Sequence, residues 1–225
     1  MNLNKRFVSI CFWLIGFVSV LQAQNNSLGK NDPDAKKVLD ALSAKLKSYK
    51  GIEANFTIRV EDSKGKLQGS KVGNIFIKGT KYHVSITGQE IFSDGKDVWT
   101  YDKSSNEVTI TKLDPTTKTI SPDKIFTNFY DNDFLYKLNG ESKMGTRTVQ
   151  EVELTPVDKT KSLFKAILYI DKTLHTLVSI KWFEKSGNRY SLTTNKLNGN
   201  APLTDSQLAY TKGKYPGAEE VDLRN

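Results

Sequence analysis

Two histidines and two pairs of closely spaced carboxylates are the side chains in this sequence best placed for acid–base chemistry. His83 stands mid-run among polar neighbours and His175 falls in a turn-like stretch, far from it in sequence. A serine triad needs a base held by an acid, and no Gly-x-Ser-x-Gly elbow is present. Metal chemistry would need a His-Glu-x-x-His motif or a His/Cys cluster, and phosphate chemistry a glycine-rich loop. The chain has none of these. Glycoside hydrolysis needs only two carboxylates. Glu151 and Glu153 share a strand face, and Asp131 and Asp133 fall in a polar loop, so both pairs read as solvated positions. The expectation is a non-enzyme with no catalytic, cofactor-binding or metal-binding residue.

What is left is an apolar surplus. Aromatic residues make up 10% of the chain, and many alternate along strand-like runs or sit on a short middle helix. One reading is core packing between a sheet face and a helix. The other is an apolar cavity, with the short helix around Phe126 and Phe129 as its lid. Such cavities take acyl chains by removing them from water, at ~0.8 kcal/mol per methylene.

The elements that must position these residues follow from periodicity. Asp32 can cap a helix that starts at Pro33 and stops at Gly51. Ala35, Val38, Leu39, Leu42, Leu46 and Tyr49 recur there at three- and four-residue steps, an apolar stripe that needs a surface to lie on. Strands come next. Ala54, Phe56, Ile58 and Val60 alternate with polar residues, as do Ile75 and Ile77, then Tyr82, Val84 and Ile86. IFSDGKDVWTYD (Ile91 to Asp102) is a hairpin about Asp94-Gly95, with Trp99 and Tyr101 on one side of its second run. Val108 and Ile110 continue the pattern, and Leu113 to Pro122 interrupts it. Ser121 and Pro122 open a short helix carrying Ile125, Phe126, Phe129 and Tyr130. Further strands fall near Phe134–Leu138, Val149–Thr155, Leu163–Ile170, Leu177–Phe183 and Tyr190–Asn195. The tail holds one more short strand or turn. About eleven closely spaced strands argue for an antiparallel sheet that closes or half-closes into a barrel.

Lys5-Arg6, the apolar run Phe7 to Leu21 and the small residue Ala23 make residues 1–23 a secretory signal peptide. Its removal takes two positive charges and the only cysteine, Cys11, from a chain of net charge +8. A disulfide or a thiol nucleophile is then excluded. The remaining charges are spread in singles and pairs, which fits a solvated surface or weak attraction to an anionic membrane better than nucleic acid. Residues 24–225 read as a single domain.

Taken in order, GIEANFTIRV (Gly51 to Val60), GNIFIKGTKYHV (Gly73 to Val84), IFSDGKDVWTYD, the proline-started middle helix and KYPGAEEVDLR (Lys214 to Arg224) resemble the LolA family. These proteins are periplasmic carriers of outer-membrane lipoproteins. The resemblance implies an unclosed, half-barrel antiparallel sheet, mainly β, whose concave face is apolar and covered by the N-terminal and middle helices. It implies a monomeric periplasmic chaperone that takes acylated lipoproteins from an inner-membrane ABC transporter toward an outer-membrane acceptor. The cavity wall would include Phe56, Ile58, Ile75, Ile77, Tyr82, Val84, Ile86, Ile91, Trp99 and Tyr101, and the lid Ile125, Phe126 and Phe129. Where the family often has an arginine followed by proline that latches the lid, this chain reads Lys78-Gly79-Thr80, and lysine is not equivalent to an arginine fork. Carriage of another lipid or hydrophobic metabolite, and an envelope-signalling sensor, are the alternatives.

Overall fold

The structure, a computed structural model, describes residues 30–113 and 130–224. Helix α1 (Pro33–Lys47) begins where the sequence places its cap, with Asp32 Oδ1 accepting from the amides of Asp34 and Ala35 at 2.9 and 3.4 Å. The apolar stripe Ala35, Val38, Leu39, Leu42 and Leu46 is buried. The helix stops four residues before the expected Gly51, and Ser48 Oγ closes it on the Lys45 carbonyl at 2.7 Å. Gly51 is already extended, bridging Asn200.

Twelve strands are described: β1 (Ile52–Glu61), β2 (Leu67–Lys78), β3 (Lys81–Ile86), β4 (Gln89–Ser93), β5 (Asp97–Asp102), β6 (Glu107–Lys112), β7 (Phe134–Met144), β8 (Arg147–Pro156), β9 (Leu163–Asp171), β10 (Leu177–Glu184), β11 (Arg189–Asn198) and β12 (Glu219–Asp222). They form one sheet in the order β12-β6-β5-β4-β3-β2-β1-β11-β10-β9-β8-β7. Its two ends do not pair, so it is an open half-barrel. Every neighbouring pair is antiparallel except β12 on β6. This parallel strand falls in the tail, where the pattern predicts a short strand or turn. Two short α-helices, α2 (Tyr130–Asp133) and α3 (Asp205–Leu208), and a 3-10 turn at Lys212–Lys214 complete the described chain. Of the expected middle helix only Tyr130 is described, while Ser121, Pro122, Ile125, Phe126 and Phe129 lie outside the described residues.

One carboxylate joins helix to sheet. Asp32 Oδ2 accepts from the Leu138 amide at 2.9 Å, the Asp32 amide donates to the Tyr136 carbonyl at 3.1 Å, and Asn31 Oδ1 accepts from the Tyr136 amide at 3.1 Å. The N-terminal cap of α1 therefore also pairs part of the free edge of β7, which would otherwise invite another strand. Burial raises the Asp32 pKa, but the amides of Leu138, Asp34 and Ala35 outweigh it and hold the carboxyl below its usual range. From this anchor α1 lies across the inner face of the sheet. The main core is there, including Phe56, Ile77, Tyr82, Val84, Tyr136, Leu154, Leu168 and Ile170.

Candidate functional site: an apolar cavity on the inner face

Strand register decides which side chains meet. Ala54, Ile75, Val84 and Ile91 stand directly opposite one another across β1 to β4, and Ile58, Leu192, Ile180 and Leu168 do so across β1, β11, β10 and β9. Both rows face α1. Between them and the helix is a cavity of about 720 Å³, within the ordinary range for small-molecule sites. Leu39, Leu42 and Leu46 of α1 form one wall. Phe56, Ile58, Ile75, Ile77, Val84 and Ile86 form the second, and Leu168, Leu177, Ile180, Trp182, Leu192 and Leu197 the third. Gly73 makes room for the second wall: a Cβ there would meet the Phe56 ring at 2.5 Å and the Ser85 carbonyl at 2.7 Å. The ring lies over β2 because no side chain stands in its way.

Polar groups touch the cavity at few points. Tyr130 reaches it from α2, its hydroxyl donating to Asp40 of α1 at 2.8 Å. Burial, then the Asp40 carboxylate, pushes the Tyr130 pKa well up. Asp131 holds the same junction, with Lys36 Nζ at 3.4 Å and the Tyr136 hydroxyl at 3.3 Å. Ser43 and Thr194 add hydroxyls, and Lys161, Ser162 and Glu184 stand together at one end.

Six of the expected wall residues thus line the cavity: Phe56, Ile58, Ile75, Ile77, Val84 and Ile86. Tyr82 and Ile91 share that face by register but pack into the core beside it. Trp99 and Tyr101 require a correction, because both project from the outer face. Phe76, His83, Phe92, Trp99 and Ile110 stand in one row across β2 to β6, opposite in facing to Ile75, Val84 and Ile91. The C-terminal segment covers this row. Trp99 stacks on Tyr210 with ring centroids 5.9 Å apart, Tyr101 meets Tyr215 at 4.4 Å, and the two covering tyrosines stack on each other at 5.6 Å. The strand period correctly puts Trp99 and Tyr101 on one side; it carries no information on which side.

His83 is part of this outer cluster. Its ring lies 4.1 Å from that of Phe92, and its Nε2 is 3.1 Å from Glu90, which also accepts from the Tyr215 hydroxyl at 2.8 Å. The Lys78-Gly79-Thr80 turn serves the same face. Lys78 Nζ donates to the Leu203 carbonyl at 3.2 Å, and Lys78 and Lys81 both pair with Asp205 at 3.6 and 3.4 Å. Gly79 has φ +61°, a backbone that suits glycine and not proline. Of the carboxylate pairs, Glu153 faces Lys165 at 3.9 Å on the outer surface. Among the described residues no three metal-ligating side chains stand together, and no helix is long and apolar enough to cross a membrane.

Sequence reasoning placed the N-terminal helix over the concave face but named none of its residues as cavity wall, and it missed the third wall. The alternation of β9 to β11 and the stripe of α1 were both visible, but only the fold brings them across from β1 and β2.

Residues 47–211 match the family model described as outer membrane lipoprotein carrier protein LolA. No curated protein matches the sequence. Among solved structures, an uncharacterized conserved protein of Thermus thermophilus has a TM-score of 0.59 at 14% identity, over 84% of this chain and 99% of its own. At that identity the likeness is one of fold. A LolA superfamily protein of Nitrosomonas europaea has a TM-score of 0.42 at 16% identity, over 78% of this chain and 97% of its own. LprF from Mycobacterium bovis has a TM-score of 0.44 at 14% identity, over 81% and 99%.

Proposed function

The chain belongs to the LolA family of outer membrane lipoprotein carriers, and from there we propose that it is a periplasmic carrier that shields lipoprotein acyl chains in its inner-face cavity. The observation that carries this reading is the cavity itself: about 720 Å³, walled by aliphatic and aromatic side chains from helix and sheet alike. Each methylene moved there from water contributes ~0.8 kcal/mol. The carrier binds without covalent chemistry, and release needs only an acceptor that covers the chain as well as the cavity does.

In this reading residues 1–23 direct export, an inner-membrane ABC transporter supplies the cargo, and an outer-membrane acceptor receives it. The protein acts as a monomer. Mass spectrometry of material extracted from protein purified out of its native periplasm tests the reading. Lipoprotein acyl chains in the extract support it. Recovery of a different lipid moves the protein to the second reading, a carrier of other hydrophobic cargo, and recovery of none under gentle conditions counts heavily against both.

A further inference from the structure

Strand β2 outruns its neighbour. It pairs with β1 from Leu67 to Ile77, but with β3 only over Gly73–Lys78. Among the described residues, 67–72 therefore have a strand on one side and none on the other, and all six are exposed. The Gly79-Thr80 turn holds two residues, so Lys78 and Lys81 form a hydrogen-bonded pair and the ladder alternates from there. Ser70 and Val72 accordingly turn amide and carbonyl to the open side, and no loop or side chain among the described residues bonds those groups. One lysine, one glycine and no proline blunt this edge only partly. The edge also runs between two hollows. Lys71 stands opposite Ile58, which lines the inner-face cavity, and Val72 borders an outer-face hollow of about 360 Å³ with Asn74, Ser85, Gln89, Tyr101 and Lys103. Ile86 borders both.

We propose that the edge of β2 over residues 67–72 takes an extended peptide as an added strand, and that this peptide is the segment leading away from the acylated terminus of the cargo. The inference rests on the reading of the cavity as an acyl-chain site and adds the place where the cargo's polypeptide lies. Unpaired amides and carbonyls in strand alternation match a polypeptide backbone, which supplies the affinity, while flanking hollows take alternate side chains. A residue opposite Lys71 would face the inner side at Ile58, where an acyl chain enters the cavity, and its neighbour opposite Val72 would face the polar hollow. A second copy of this chain fits the edge poorly. The symmetric antiparallel register that pairs Ser70 with Val72 in both directions sets Lys71 directly against its own mate, like charge on like.

Displacement of a fluorescent fatty-acyl probe from the delipidated protein tests this. The competitors are N-palmitoyl serine amide and an N-palmitoyl hexapeptide amide of alternating serine and threonine. The hexapeptide is expected to compete about tenfold better, a difference of ~1.4 kcal/mol. N-methylation of every second residue blocks the amides along one side of an extended strand and leaves the other side intact. One of the two alternating methylation patterns should abolish the advantage and the other should keep it. Ser70→Pro removes an amide from the open side without taking one from the ladder to β1; it should reduce the advantage and leave the serine amide unchanged. Equal competition by hexapeptide and serine amide, an advantage kept or lost in both methylation patterns, or one unchanged in folded Ser70→Pro overturns the proposal while the acyl-chain reading stands. The methylation patterns decide the matter even if Ser70→Pro fails to fold. If no palmitoyl compound competes, both readings are overturned.

Discussion

The half-barrel has apolar surface on both faces, and the two are finished differently. On the outer face of β2 to β6 the row Phe76, His83, Phe92, Trp99 and Ile110 is covered by the chain's own C-terminal segment, ring on ring, and the polar tips of the covering residues are hydrogen-bonded. On the inner face α1 covers part of the sheet and leaves about 720 Å³ between apolar walls. Aromatic content alone cannot distinguish a closed core from an open site. What distinguishes them is how much of the surface is filled, and among the described residues, 199–224 fill it outside while the fifteen residues of α1 do not do so inside.

The largest separation between the faces should come from Phe92→Ala. Phe92 is 2% exposed and packs against His83, Tyr210 and Tyr215. Its truncation should cost about 3–5 kcal/mol by urea unfolding. The fraction that remains folded should bind an acyl probe with wild-type affinity. A proportional loss of binding would show that the outer cluster shapes the cavity after all.

Ile75→Glu is the converse. Ile75 is half-buried on the inner wall, one position from Phe76 and on the opposite side of the strand. In the empty cavity its carboxylate stays hydrated, so the unfolding midpoint should shift little. A bound chain must strip that water, which is costly for a charge without a partner. Acyl-probe affinity is expected to fall more than about tenfold, or ~1.4 kcal/mol. A collapse in stability with binding intact would make this wall ordinary core.

Much of this architecture was legible in local chemistry. Asp32-Pro33 marks the start of α1, and Asp94-Gly95 marks a turn in which Asp94 Oδ1 accepts from the amides of Lys96 and Asp97, both at 2.8 Å. Alternation gave the inner residues of β1 to β3, because those strands begin a run in which one face is apolar and the other polar. It failed for Trp99 and Tyr101, since period two says that residues share a face without saying which face. Their side is settled by Tyr210 and Tyr215, more than a hundred positions later. Two aromatics in a polar tail were the available signal, since they need an apolar surface to rest on. The end of α1 differs from expectation for a similar reason: Gly51 is needed for close passage of the Ala201 carbonyl, 2.5 Å from where a Cβ would stand, and not for a helix stop.

Alkali should loosen the outer cover through its tyrosines. Burial, then the Glu220 carboxylate that accepts from its hydroxyl at 2.7 Å, pushes the Tyr210 pKa up to about 12. Burial and Glu90 raise Tyr215 as well. A raised pKa stabilises the fold fully below the unfolded value of about 10, and that stabilisation is lost as pH rises from there through the folded value. Unfolding midpoints measured from about pH 9 to 12 should therefore fall, and fall less steeply in the Tyr210→Phe/Tyr215→Phe double variant. Tyr130 on the inner side is also raised, by burial and Asp40, so Tyr130→Phe is the control. If it flattens the curve as much as the double variant, the alkaline transition belongs to the α1–α2 junction and not to the outer cover.

The smallest effect is expected where the outer cover ends. Arg224 Nη1 meets Asp97 of β5 at 2.7 Å, and its Nη2 meets Asp222 of β12 at 2.5 Å, reaching across β6. The guanidinium holds the Asp222 pKa at about 2. Both acids also keep solvent contact, and exposed pairs of this kind are screened by salt and add little to stability. Arg224→Ala should leave acyl binding unchanged and move the unfolding midpoint no more than a neutral surface substitution, with any difference vanishing at high salt. A shift comparable to that of Phe92→Ala would mean that the C-terminal segment is held down by its terminal charges and that the stacked rings merely follow.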